Sequence, residues 1–291
     1  MSVASVKQRI DFHCHILPGV DDGAPSLEEA LVMARLAVKD GTGTIVATPH
    51  ALASRYNPSP NAVAEAFDRL SAALEENQIP LRLHRAAEVY FAPDLLARVE
   101  ARPSLTVNGE RKYLLTELPF VGYPTFVAEV CFDLLLHGIV PIIAHPERSQ
   151  HLQQHPHLLY ELVSQGVMAQ VNAGSLLGYF GPEVQGAAML FLRHRLIHVL
   201  GSDGHDSHRR PPLLGQAALA VAQVCGEEYA HNVAVFWPSK ILAGNYIQVA
   251  EPEPIKHRGS THSPNRGPGK ADSPLWRRIL FRRRTGAQPG A

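Results

Sequence analysis

Five histidines and four acidic residues in this chain stand at spacings that suit metal chemistry. The stretch DFHCHILPGVDDG, residues 11–23, gathers His13, Cys14, His15, Asp21 and Asp22. In an extended chain alternate side chains face the same way, so His13 and His15 point together and Cys14 points to the opposite face. The two imidazoles can share an ion, and the cysteine belongs to the core. The same alternation can pair Asp203 with His205 in GSDGH if that end remains extended. With His50, Glu88, Glu117, His145 and one aspartate of VDDG, the set holds five imidazoles and four carboxylates. Nine mixed donors exceed the need of one ion, which predicts two or three. Imidazole with carboxylate suits Mn²⁺, Fe²⁺ or Zn²⁺, and the lack of thiolate ligands argues against a structural zinc site.

Three divalent ions would outweigh four carboxylates, and the surplus positive charge matches a phosphate dianion. A close metal pair acidifies a bridging water and stabilises both oxygens of an in-line displacement. Arg148 in AHPER and Arg210 in GHDSHRRPP follow two of the histidines. Guanidinium binds phosphoryl oxygens bidentately at any working pH. The chemistry expected is metal-assisted hydrolysis of a phosphomonoester. A cysteine nucleophile in a phosphate-cradling loop needs arginine six positions later. Cys14, Cys131 and Cys225 are followed there by Val20, His137 and His231, which excludes that mechanism in its usual form.

Elements that could position these groups alternate along the chain. Apolar runs ending in IDFHCH, TIVATPH, LRLHRAAEVY, KYLLTEL, IVPIIAH, VMAQVN and IHVLGSD read as seven strands. SLEEALVMARLAVKDG reads as a helix capped by Ser26, with Glu29 three residues on and Gly41 as the stop. Further helices fit residues 61–77, PHLLYELVSQG and PEVQGAAMLFLRHR. Alternation of this kind implies parallel pairing and an α/β fold. No glycine-rich phosphate loop follows the first strand, so a distorted (β/α)7 barrel of the TIM-like kind is expected rather than a dinucleotide-binding sheet. Every candidate ligand falls at or just past a strand's C-terminal end, the rim where such barrels collect their functional groups. His151, His155 and His157 in HLQQHPH read as a loop leading into a helix. Tyr90 and Tyr123 read as core or rim packing, with a place in a substrate groove as the alternative.

The net charge of zero conceals an asymmetry: residues 251–291 carry nine Lys/Arg against three Asp/Glu. The expected organisation is a mildly acidic barrel over residues 1–250 and a Pro/Gly-rich basic tail over 251–291 that reads as disordered. The body offers no basis for nucleic-acid binding. SPLWRRILFRRR in the tail suggests an interfacial helix for anionic lipid or docking on an acidic partner, against a solvated tail. Three scattered cysteines, no signal-peptide core and no membrane-length apolar run predict a cytoplasmic protein.

Taken in order, HCH, VDDG, TPH, AAEVY, TELP, AHPER and GSDGH…RRPP resemble the polymerase and histidinol phosphatase superfamily. Within it they resemble the manganese-dependent protein-tyrosine phosphatases of bacterial capsule and exopolysaccharide loci. The resemblance spans residues 10–247. It implies a barrel of seven βα units with up to three Mn²⁺ ions, Fe or Zn being alternatives. His13, His15, Glu88 and Asp203 would hold one ion. Glu88 would bridge to a second, bound also by Glu117 and His145, and Asp22, His50 and His205 would hold the third. Matching the family's DDG selects Asp22 over Asp21, and Arg148 and Arg210 would grip phosphate. The implied substrate is the phosphotyrosine tail of a membrane-associated autokinase. A small-molecule phosphatase, such as one acting on histidinol phosphate, and a non-catalytic metal-binding regulator are the alternatives.

Overall fold

Most of the apolar runs become strands buried on both faces, as parallel strands under helices must be, Arg82–Arg85 being the exception. The computed structural model describes residues 8–53, 55–247, 249 and 251–255. The strands are β1 (Arg9–Cys14), β2 (Thr42–Ala47), β3 (His50–Ala51), β4 (Arg82–Arg85), β5 (Glu88–Tyr90), β6 (Tyr113–Glu117), β7 (Val140–Ala144), β8 (Met168–Asn172) and β9 (Val199–Gly201). All pairs are parallel, in a three-stranded sheet β1-β2-β4 and a six-stranded sheet β3-β5-β6-β7-β8-β9.

Nine strands, where the sequence reads as seven, reflect two interrupted staves. TIVATPH divides into β2 and β3, and LRLHRAAEVY into β4 and β5. Pro49 has no N–H to donate, so the ladder falters there. The break leaves the alignment intact: Ala47 pairs with Arg85 below it and His50 with Glu88 above it. Ala86 N donates to Ala47 O and Glu88 N to Pro49 O across the gap, each at 3.0 Å. His50 and Glu88 therefore open the upper segments side by side.

The ends of the sheet meet. Cys14 bridges Gly204 in parallel fashion, Asp203 N donates to His13 O at 2.7 Å, and His15 N donates to Gly204 O at 2.9 Å. The buried Asp11 carboxylate supports this seam, accepting from Ser202 N at 2.8 Å. The result is a curled, seven-staved α/β barrel. Gly201 is required at the seam, since a Cβ there would stand 2.6 Å from His13 Cβ.

The helix Leu27–Lys39 starts as its sequence dictates. Ser26 accepts from Glu29 N, and Gly41 takes φ of 90° just past the end. Its Met33, Ala34 and Ala37 pack with Cys14, Ile45 and Leu70 in a satellite core outside β1 and β2. Cys14 is thus core, facing away from the histidines that flank it. The expected helix over residues 61–77 is Pro60–Glu76, capped by Ser59. Residues 251–255, where the tail was expected to begin, lie along the body. Glu253 N donates to His194 O at 2.9 Å, and Ile255 packs against the main core. The basic segment SPLWRRILFRRR lies outside the described residues. Among those described, no helix is long and apolar enough to cross a membrane.

His198 carries a pH-dependent share of stability. It is fully buried, and its Nδ1 accepts from Ala169 N at 3.1 Å, while Nε2 has no partner among the described residues. Burial pushes its pKa down from 6.5 to about 4. The neutral ring therefore contributes fully above pH 6.5, and that contribution declines as pH falls toward 4. The span corresponds to roughly 3 kcal/mol. His198→Asn keeps an acceptor for Ala169 without titrating. Urea unfolding at pH 7 and pH 4.5 in chelator should show a pH dependence shallower in the variant by roughly 2.5 kcal/mol. Equal dependence in both proteins would remove His198 as the cause.

Candidate metal centre

Seven of the nine candidate ligands line one open cavity of about 700 Å³: Asp22, His50, Glu88, Glu117, His145, Asp203 and His205. His13 and His15, fully buried, meet the same cluster through Glu88 and Asp203. Glu88 is the hub. Its Oε2 stands 2.9 Å from His50 Nδ1, 3.3 Å from His15 Nε2 and 3.4 Å from His13 Nε2. Its Oε1 stands 2.8 Å from His145 Nε2, which lies 3.7 Å from Glu117. Asp203 Oδ1 approaches His13, His15 and His205 at 3.5–3.7 Å. Asp22 Oδ1 sits 3.5 Å from His50 Nε2 and 3.6 Å from His205 Nε2.

Three donor groups are close enough to hold an ion each: His13, His15 and Glu88; His50, Glu88 and Glu117; and His15, Asp22, His50 and His205. The donors are imidazole and carboxylate with no thiolate, a set suited to Mn²⁺, Fe²⁺ or Zn²⁺. This chemistry fits the metals that the sequence implies.

The two aspartates of VDDG separate by role. Asp22 faces His50 and His205, whereas Asp21 is turned to the back of His15. Its Oδ2 accepts from His15 Nδ1 at 2.7 Å and from His50 N at 2.9 Å. A carboxylate behind a histidine fixes the tautomer and leaves Nε2 free for a metal. Gln170 does the same for His13, its Oε1 lying 3.1 Å from Nδ1. Gln170 donates to Asn172 Oδ1, and Asn172 donates to Asp203 Oδ2. Sequence spacing among the histidines and carboxylates does not point to Gln170 or Asn172. Their signal was present in MAQVN, two amides one period apart in a strand buried throughout. Gly23 packs where a Cβ would come within 2.0 Å of His15 O, so close approach, rather than a turn with positive φ, demands glycine there.

Two candidate ligands sit in the left-handed region, His145 at φ 30° and Asp203 at φ 53°. Non-glycine residues there cost on the order of 1–3 kcal/mol each, and such strain clusters at functional sites.

The electrostatics follow from crowding. For Asp203, burial would raise the pKa, but the charges of His13 and Arg210 hold it well below the carboxylate range. Glu88 is likewise opposed by burial and held low by His13 and its other imidazole neighbours. Burial and the neighbouring Glu88 push Glu117 up to about 7. Burial works against charging His15, yet Asp21 and Glu88 carry it well above its ordinary value. His13 and His50 are raised against burial, chiefly by Glu88. Burial lowers His145 and His205.

Arg148 and Arg210 line the cavity and both engage Asp203 Oδ2, Arg148 Nη1 at 3.0 Å. Arg209, the neighbour of Arg210, is exposed. Asp206 Oδ1 accepts from the backbone N–H groups of His208, Arg209 and Arg210 and shapes the loop that presents Arg210. Tyr90 lines the cavity. Tyr123 stacks on His151 at 5.1 Å, His151 packs on His155 at 4.5 Å, and this row lies outside the three donor groups.

The fold and centre define an α/β barrel whose rim carries a polyhistidine, polycarboxylate cage beside two arginines. The chain belongs to the capsular polysaccharide synthesis CpsB/CapC family, whose model matches residues 9–243. It is 35% identical to the tyrosine-protein phosphatase YwqE of Bacillus subtilis over 249 residues, 86% of this chain and 97% of that protein. It is 31% identical to the tyrosine-protein phosphatase CpsB of Streptococcus pneumoniae, covering 82% of this chain and all of that one. A solved structure from work on YwqE and CpsB, described as unique metal-dependent tyrosine phosphatases, superposes with a TM-score of 0.79. It shares 34% identity and covers 85% of this chain and 100% of its own. The Escherichia coli phosphotriesterase homology protein shares the fold alone, at TM-score 0.52 and 11% identity, over 80% of this chain and 98% of its own.

Proposed function

We propose that this chain is a metal-dependent protein-tyrosine phosphatase, using Mn²⁺ in the cytoplasm on the phosphotyrosine tail of a membrane-associated autokinase that controls capsule or exopolysaccharide synthesis. The observation that carries this reading is the cage itself: nine imidazole and carboxylate donors from six staves and their loops converge beside two arginines, in a chain matching tyrosine phosphatases along nearly their whole length. The three free thiols, two of them buried, agree with a reducing compartment.

The division of ligands proposed is His13, His15, Glu88 and Asp203 for one ion, Glu88, Glu117 and His145 for a second, and Asp22, His50 and His205 for the third. When bound, these ions would supply Lewis acidity and acidify water near neutral pH. Asp21 and Gln170 hold His15 and His13 in the tautomers that present Nε2. Arg148 and Arg210 offer N–H donors to the equatorial oxygens of the phosphoryl group, where charge accumulates as the ester bond breaks. Tyrosinate, with a conjugate-acid pKa of about 10, departs without a dedicated general acid. We assign this chemistry to the barrel, residues 1–250, and none of it to the basic tail.

The test offers purified full-length chain, with Mn²⁺ or with chelator, a phosphotyrosine peptide, a phosphoserine peptide and histidinol phosphate. Phosphotyrosine should be preferred over phosphoserine by at least about 100-fold in kcat/KM, since serine alkoxide is the poorer leaving group. Activity should vanish with chelator. Turnover of histidinol phosphate alone would overturn the substrate class, and metal binding with no turnover would favour a regulator.

A further inference from the structure

We propose that Phe180 is a positioning residue for the phosphate grip, one aromatic face that sets the planes of both guanidinium groups, Arg148 and Arg210. The idea rests on the phosphate-binding role given to these arginines above. Arg148 Cζ lies 4.7 Å from the centroid of Phe180 and 4.5 Å from that of Phe120, so two rings contact the guanidinium. Arg210 Cζ lies 5.9 Å from the same Phe180 centroid. Phe120 and the two arginines line the cavity, and Phe180 stands outside that lining. A ring behind the guanidinium groups touches them and leaves the cavity to the ligand.

Stacking suits this task because it engages the π face and uses none of the N–H donors. Asp203 Oδ2 engages both guanidinium groups, the rings fix the planes, and the N–H groups on the cavity side stay available to phosphoryl oxygens. Arginine side chains are long, and ordering them before the ligand arrives removes an entropy cost from binding.

The local backbone is built to seat the ring. Gly178 and Gly181 take φ of 83° and 94° on either side of Tyr179 and Phe180, turning the chain back toward the site. A Cβ on Gly174 would come within 3.1 Å of Phe180 Cε2, so glycine there makes room for the ring.

The experiment compares Phe180→Leu, which keeps apolar bulk without a π face, with Phe180→Tyr, which keeps the face. Inorganic phosphate binding to the Mn²⁺-loaded full chain is measured by calorimetry, with kcat and KM for a phosphotyrosine peptide alongside. Two cation–π contacts, each worth a factor of about 2–5, predict roughly ten-fold weaker phosphate binding and a similar fall in kcat/KM for Phe180→Leu. Metal content should not change, and Phe180→Tyr should stay within about two-fold of wild type. Wild-type phosphate affinity in Phe180→Leu, or equal impairment of the Leu and Tyr variants, would overturn the proposal. Phosphate affinity unchanged in Arg148→Ala and Arg210→Ala would overturn it too, because the ring would have nothing to position. Calorimetry needs no turnover, so a chain that binds phosphate through these arginines but hydrolyses no phosphotyrosine would refute the proposed function and leave the Phe180 comparison readable.

Discussion

Glu88→Gln should lower kcat/KM on a phosphotyrosine peptide by at least about 10³-fold and strip most of the metal. Replacing a residue behind a metal ligand already costs about 10- to 100-fold. Glu88 stands in front: it belongs to two of the three donor groups and lies within 3.4 Å of four imidazoles. Glutamine keeps the shape, removes one negative charge, and turns an amide N–H₂ toward nitrogens that need their lone pairs for metal. Glu117→Gln is the internal comparison, since Glu117 joins one donor group and is partly exposed, so its effect should be smaller. Kinetics with elemental analysis of the purified variants would decide. Full metal content and near-wild-type turnover in Glu88→Gln would remove the hub from the centre of the site.

Metal binding should strengthen steeply with pH, and its effect on stability should widen as pH rises. Three of the cage imidazoles, His15, His13 and His50, have pKa values raised against burial by Asp21 and Glu88, so the metal-free cage holds protons near neutrality. Their contribution to metal-free stability is complete below about pH 6.5 and is lost as pH rises through the raised values. An ion must displace those protons, so Mn²⁺ affinity should fall by about 10- to 100-fold per unit as pH drops from 7 to 6. His145 and His205, lowered by burial, hold their protons less firmly than the other three. Three ions at a hundred-fold excess over Kd would add roughly 8 kcal/mol, or about 15–30 °C in Tm. Calorimetric scans with Mn²⁺ and with chelator should show that gain at pH 8 and a much smaller one at pH 6. A gain equal at both, or greater at pH 6, would contradict the protonated cage.

The staves, the N-cap at Ser26 and the rim position of each candidate ligand were legible because they depend on local periodicity and on strand ends. The interruption at Pro49 was not, since TIVATPH continues as extended chain beside the same stave and only the ladder is broken. Asp21, Gln170 and Asn172 were hidden for a different reason. Their tasks are set by which histidine lies across the sheet, a distance no local pattern encodes. The amide pair in MAQVN was nevertheless readable as polar residues where a strand should be apolar. Phe180 was least legible, because its meaning depends on two glycines turning a short loop back, and a third making room for its ring, beside arginines contributed by other staves.

The positive φ angles at His145 and Asp203 set heat resistance against turnover. Both positions hold backbone that asparagine or glycine would relax at little or no cost, and neither replacement can do the work of the side chain it removes. Selection for ruggedness alone would drift toward those substitutions and yield a hardier barrel that lacks two donors of the proposed metal cage. Engineering that aims to keep activity should seek its stability in the satellite core beneath the helix Leu27–Lys39, away from the rim.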